Sequence, residues 1–155
     1  MIKKISIFFF VIFGLNQCGF SPIYLEISND DLYIEEVKFE GDKTINYLYK
    51  EYFNNFKNVN NEKKYKIKVD TSYKKTPYTR DKTAKVINYE LIAETSFEVV
   101  LNNKIIKTLK YSEKQNIDNS DDKLEEQKYE NVVKQNFAST IFNKFITQML
   151  VINDN

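Results

Sequence analysis

The sequence predicts an α+β domain: a four-stranded, largely antiparallel sheet with two helices on one face, in the order β-α-β-β-β-α. Three observations predict it. Two long stretches, beginning at Tyr65 and Tyr89, alternate apolar and polar residues with the period of a strand. Two others, beginning at Ile45 and Tyr129, repeat apolar residues at helical spacing. Between the last two strand-like runs stands Asn102-Asn103, a residue pair suited to a tight hairpin turn.

Taken in order, Tyr33, Val37 and Phe39 lie on one face of a short strand that ends at Gly41. Ile45, Leu48, Tyr49, Tyr52, Phe53 and Phe56 then trace one side of an amphipathic helix, with Asp42 or Thr44 available to cap it. Asn54 to Glu62 is polar and reads as a loop. Next, Tyr65, Ile67, Val69, Thr71 and Tyr73 alternate with Lys66, Lys68, Asp70, Ser72 and Lys74, so one side is buried and the other wet. After a loop, Tyr89, Leu91, Ala93, Thr95, Phe97, Val99 and Leu101 do the same opposite Glu90, Glu94, Ser96 and Glu98. The returning strand runs from Lys104 to about Gln115 and carries Ile105, Leu109 and Tyr111. Ser120 is the expected N-cap of the last helix, and Asp121, Asp122, Glu125 and Glu126 complement its positive end. Its stripe comprises Tyr129, Val132, Val133, Phe137, Ile141, Phe145 and Met149, widened by Phe142, Ile146 and Leu150. A stripe that wide belongs against a sheet.

Composition excludes several functions. The chain has no His, no Trp and one Cys, which removes the commonest metal ligand, the usual acid–base side chain and any internal disulfide. No metal and no cofactor is expected. Glu90, Glu94 and Glu98 are carboxylates on an open sheet face, about 7 Å apart per two residues, where they serve solubility. No nucleophile stands beside a readable base, so the chain is not read as an enzyme.

The amino terminus carries a different signal. Lys3 and Lys4 precede an apolar run from Ile5 to Leu15, long enough for a signal-peptide core and too short for the roughly 20 residues of a membrane span. Asn16-Gln17-Cys18 closes it, so residues 1–17 are expected to be a lipoprotein signal and Cys18 the lipidated first residue of the mature chain. The alternative is an ordinary secreted protein, or an uncleaved anchor, with an incidental Cys. Residues 18–31 form the lipidated Cys and a tether, punctuated by Ser21-Pro22 and Ser28-Asn29-Asp30-Asp31, and residues 32–152 the single domain. Without Lys3 and Lys4 the chain has 21 basic and 22 acidic side chains, a balance that implies no general affinity for polyanions.

Cys18-Gly19-Phe20-Ser21-Pro22-Ile23-Tyr24 resembles the Cys-Gly-Phe-x-Pro-x-Tyr start of mature lipopolysaccharide-assembly lipoproteins, the LptE family. The element order, the stretch from Thr83 to Leu91 and the Phe137-Ala138 region of the final helix are similar to that family's pattern. Arg80 is the only arginine, so other family positions expecting Arg hold Lys or lack a counterpart. The resemblance implies an outer-membrane lipoprotein, lipid-anchored on the periplasmic side, that plugs the LptD barrel, helps it assemble and contacts lipopolysaccharide. Gly19, in place of the Asp that retains many lipoproteins at the inner membrane, agrees with that destination. An unrelated envelope lipoprotein, acting as a binding or transporter-accessory module, shares the same signal and tether. Nucleic acid is not expected as a partner of an exported, anchored domain.

The most basic stretch runs from Lys63 to Lys85. Within it, Lys66, Lys68, Lys74, Lys75 and Arg80 are the expected contacts for lipid phosphates, through charge-assisted hydrogen bonds. The plain alternative is a solvated face rich in lysine.

Overall fold

The computed structural model describes residues 32–56 and 63–154. Cys18, the signal and the tether lie outside the described residues. The elements are β1 (Tyr33–Gly41), α1 (Lys43–Phe53) with a 3-10 turn (Asn54–Phe56), β2 (Lys64–Arg80), β3 (Val86–Leu101), β4 (Lys104–Asp118) and α2 (Lys123–Asn153). The strands stand in the order β1-β2-β3-β4. β1 runs parallel to β2 while β2–β3 and β3–β4 are antiparallel, so the sheet is mixed, with the expected class and element order.

Both helices bury their apolar sides on the same face of the sheet. Phe97 of β3 is the meeting point: its ring stacks on Phe145 of α2 at 4.1 Å and meets Tyr49 of α1 edge-on at 5.7 Å. Phe142 packs edge-on against Phe53 at 5.0 Å and ties the two helices together. Thr95, placed in this apolar row by its strand parity, is satisfied by the Tyr49 hydroxyl at 2.9 Å. α1 is capped by Asp42, whose Oδ1 accepts from the Ile45 N–H at 2.9 Å. Asn102 and Asn103 both adopt positive φ, the geometry that the two-residue hairpin demands.

Five expectations need correction. In β1 a register shift at Glu35 reverses the alternation, so Ile34, not Tyr33, reaches the core ahead of Val37 and Phe39. In β4 a shift at Ile106 does the same: Ile105 pairs with Val100 on the open face and is 61% exposed, while Leu109 and Tyr111 stay inward. β2 does not stop at Lys74 but continues to Arg80. Pro77 is accommodated because β1 pairs no further than Thr71, leaving β2 a free edge there among the described residues. The cap of α2 is Asp122, which accepts from Leu124 and Glu125 N–H, and Ser120 instead accepts from Asp122 N–H. The apolar seam of α2 begins at Val133, since Tyr129 and Val132 are about half exposed.

Candidate functional site

The open face of the sheet is where Lys66, Lys68 and Lys74 stand, because even-numbered residues of β2 pair with the even-numbered polar face of β3. Lys68 lies opposite Glu98, Asp70 opposite Ser96 and Lys74 opposite Ile92. β4 adds Lys110 beside Ser96 and Lys114 beside Ile92, so Lys74, Ile92 and Lys114 form one rung of cation, apolar side chain and cation. Neither Lys110 nor Lys114 belongs to the basic stretch of the sequence. The shift at Ile106 hides the register that brings them in.

This face is mixed in charge. Lys66 pairs with Glu35 at 3.7 Å and Lys68 with Glu40 at 3.5 Å, all four side chains well exposed. Exposed pairs of this kind contribute only ~0–1 kcal/mol and exchange readily for another anion. Lys74 has no ion-pair partner among the described residues.

Arg80 lies at the far end of the β2–β3 hairpin, roughly 20 Å along the strand from Lys74 at ~3.3 Å per residue. Its Nη1 donates to the Ala84 carbonyl at 2.9 Å. The hairpin loop is tied by Asp81, whose Oδ1 accepts from the Thr83 N–H and hydroxyl and from the Lys85 N–H. Those hydrogen bonds, the Thr83 hydroxyl foremost, hold the Asp81 carboxyl below the usual carboxylate range.

Lys75 does not join the others. It sits opposite Leu91 and therefore points to the helix side. There its Nζ donates to Glu126 Oε1 at 2.6 Å and Glu130 Oε2 at 2.9 Å, 4.7 Å above the Tyr89 ring. Glu126, only 8% exposed, also accepts from Lys123 at 2.9 Å and from the Ser120 N–H at 3.2 Å. Hydrogen bonds from Lys75 and Lys123 hold its carboxyl down to about 2. Tyr73 donates to Glu130 at 2.9 Å, and burial together with that carboxylate pushes its phenol well above the ordinary range. These ions clamp the start of α2 onto β2 where the apolar seam has run out. Lys75 is thus tied into the fold by two carboxylates, on the side of the sheet away from Lys66, Lys68 and Lys74.

Among the described residues no group of acidic, His or Cys side chains has the arrangement to hold a metal ion, and no helix is long and apolar enough to cross a membrane.

No protein-family model and no curated protein matches the sequence. Solved structures do match in fold. Rare lipoprotein B from Shewanella oneidensis superposes with a TM-score of 0.57 at 17% identity, over 76% of this chain and 98% of that one. Lipoprotein B from Nitrosomonas europaea gives 0.58 at 15% identity, over 79% and 86%. A minor lipoprotein from Acinetobacter baumannii gives 0.51 at 14% identity, over 74% and 94%. The fold is therefore the one these bacterial lipoproteins have.

Proposed function

We propose that this chain is a lipid-anchored outer-membrane lipoprotein of lipopolysaccharide assembly, which plugs and helps assemble the LptD barrel and contacts lipopolysaccharide from the periplasmic side. The observation that carries the reading is a fold shared with three lipoproteins, following a Cys18–Tyr24 stretch that resembles the LptE start. The open face suits a phosphorylated lipid: Lys74 and Lys114 flank Ile92, offering cations beside an apolar surface, and the pairs of Lys66 and Lys68 are weak enough to be displaced.

The test is lipopolysaccharide binding by residues 19–155, wild type against a Lys66/Lys68/Lys74→Glu triple variant. Three reversals at up to ~1 kcal/mol each lower affinity by about tenfold or more. Wild-type binding also weakens from low salt to physiological salt, where the Debye length is about 8 Å. Melting temperature falls by a few degrees only: the new carboxylates meet Glu35, Glu40 and Glu98, but on the solvated face and off the apolar core. Equal binding by two equally folded proteins would mean that this face is only solvated.

A further inference from the structure

The chain enters the domain at one end of the sheet. Tyr33 opens β1 there and pairs with Lys64 at the start of β2. Lys66 pairs with Val100, whose other neighbour is Ile105 of β4. The β3–β4 hairpin, turning at Asn102-Asn103, therefore stands at the same end as the point of entry. The last turn of α2 reaches this end too, since Asn153 accepts from Lys63 and from the Tyr65 hydroxyl.

The surface of this hairpin is not that of a plain solvated turn. Ile105 is 61% exposed and Ile106, beside it, 43%, and Val100 lies next to Ile105 across the strand pair. Exposed apolar side chains are ordinary when scattered singly and informative when they gather. From Val99 to Ser112 the sequence holds Lys104, Lys107 and Lys110 and no acidic residue. Lys104 and Lys107 flank the two isoleucines and have no ion-pair partner among the described residues. Glu35 and Glu36 stand two strands away on β1, matched by Lys66 at 3.7 Å and Lys38 at 3.5 Å. Asp154, which follows α2, is outnumbered at this end by Lys63, Lys64, Lys104 and Lys107. Apolar side chains flanked by cations are what the boundary of a bilayer accepts: the former enter between headgroups and acyl chains, and the ammonium groups stay with the phosphates.

We infer that the tip of the β3–β4 hairpin sits in the surface of an anionic bilayer, Ile105 and Ile106 at the headgroup boundary and Lys104 and Lys107 among the lipid phosphates. The inference depends on the lipid anchor of the proposed function. Only residues 19–31 separate Cys18 from Leu32, so the anchor concentrates this end of the sheet at the membrane. The opposite end, at Ile87, lies ~43 Å further along β3 at ~3.3 Å per residue. The anchored domain stands on its β3–β4 end, and this is its state before a barrel takes it up.

The chain has no Trp, so a single introduced one reports only its own position. Full acylated chain carrying Ile105→Trp is reconstituted, with no barrel present, into vesicles of phosphatidylethanolamine and phosphatidylglycerol. Ile106→Trp is a second reporter at the tip, and Ile87→Trp, at a half-exposed position, the reporter at the far end. Lipids brominated in their acyl chains quench the emission of the Ile105→Trp and Ile106→Trp chains and leave that of Ile87→Trp unchanged. Adding Lys104→Glu and Lys107→Glu to the Ile105→Trp chain lowers the population in contact by about tenfold or more, because both attractions become repulsions. Chains that float with the vesicles while neither tip reporter is quenched, or while Ile87→Trp is quenched equally, would overturn the inference and leave the anchor standing. Quenching indifferent to the two Lys→Glu changes would overturn it as well. Chains that fail to float would remove the anchor, and the inference with it.

Discussion

Gly41→Ala unfolds more of this domain than any surface change. Gly41 closes β1 at φ +92°, and an added Cβ would stand 1.8 Å from the Thr71 carbonyl oxygen. No flexible side chain is available to yield, because the obstructing atom is backbone of the neighbouring strand. The same carbonyl accepts from the Asp42 N–H at 3.1 Å, and Asp42 in turn caps α1. Relief therefore separates β1 from β2 and disturbs the start of α1 together. Positive-φ strain and the clash cost about 3 kcal/mol or more, a large part of a typical domain's 5–15 kcal/mol. Urea unfolding should show the midpoint fall, and thermal melting should drop by roughly 10 °C or more. A loss below ~1 kcal/mol would mean that β1 does not approach β2 in this way.

The second large effect is on the anchor. On the proposed function, Cys18→Ala removes the only thiol in the chain and with it the expected site of acylation. Each buried methylene contributes about 0.8 kcal/mol, and a single acyl chain holds only marginally, so several chains on one Cys make attachment lasting. The variant incorporates no labelled palmitate and accumulates as a precursor that retains residues 1–17. Unchanged processing, with unchanged partitioning into detergent, would remove the lipoprotein assignment.

Most of the architecture was legible because period two and period 3.6 are strong signals when one side of an element is buried. β3 illustrates this, with Leu91, Ala93, Thr95, Phe97 and Val99 all buried as their parity requires. The hairpin turn was legible because Asn is among the few non-glycine residues that accept positive φ readily. What escaped was local. A single extra residue at Glu35 or Ile106 reverses every side chain beyond it, and no composition marks such a bulge. Tyr129 and Val132 continue the helical stripe in sequence, yet they overhang a region where Lys75, Glu126 and Glu130 hold helix to sheet.

The candidate site was read less well than the fold for the same reason. Ending β2 too early left Lys75 as a loop residue, although its odd number in a continued strand directs it inward. Lys110 and Lys114 enter the open face from a strand, 36 to 48 residues beyond Lys66, Lys68 and Lys74 in sequence, through a register that only the bulge explains. The cations that share a face in space are therefore not those that cluster along the chain.

The most direct test of a barrel plug is affinity purification of the full chain from detergent-solubilised envelopes, with mass measurement of whatever is retained. The proposed function predicts an outer-membrane β-barrel at one-to-one stoichiometry, and a fall in that barrel's abundance when the chain is depleted. Recovery of the chain as a free monomer, with barrel levels unaffected, would contradict it.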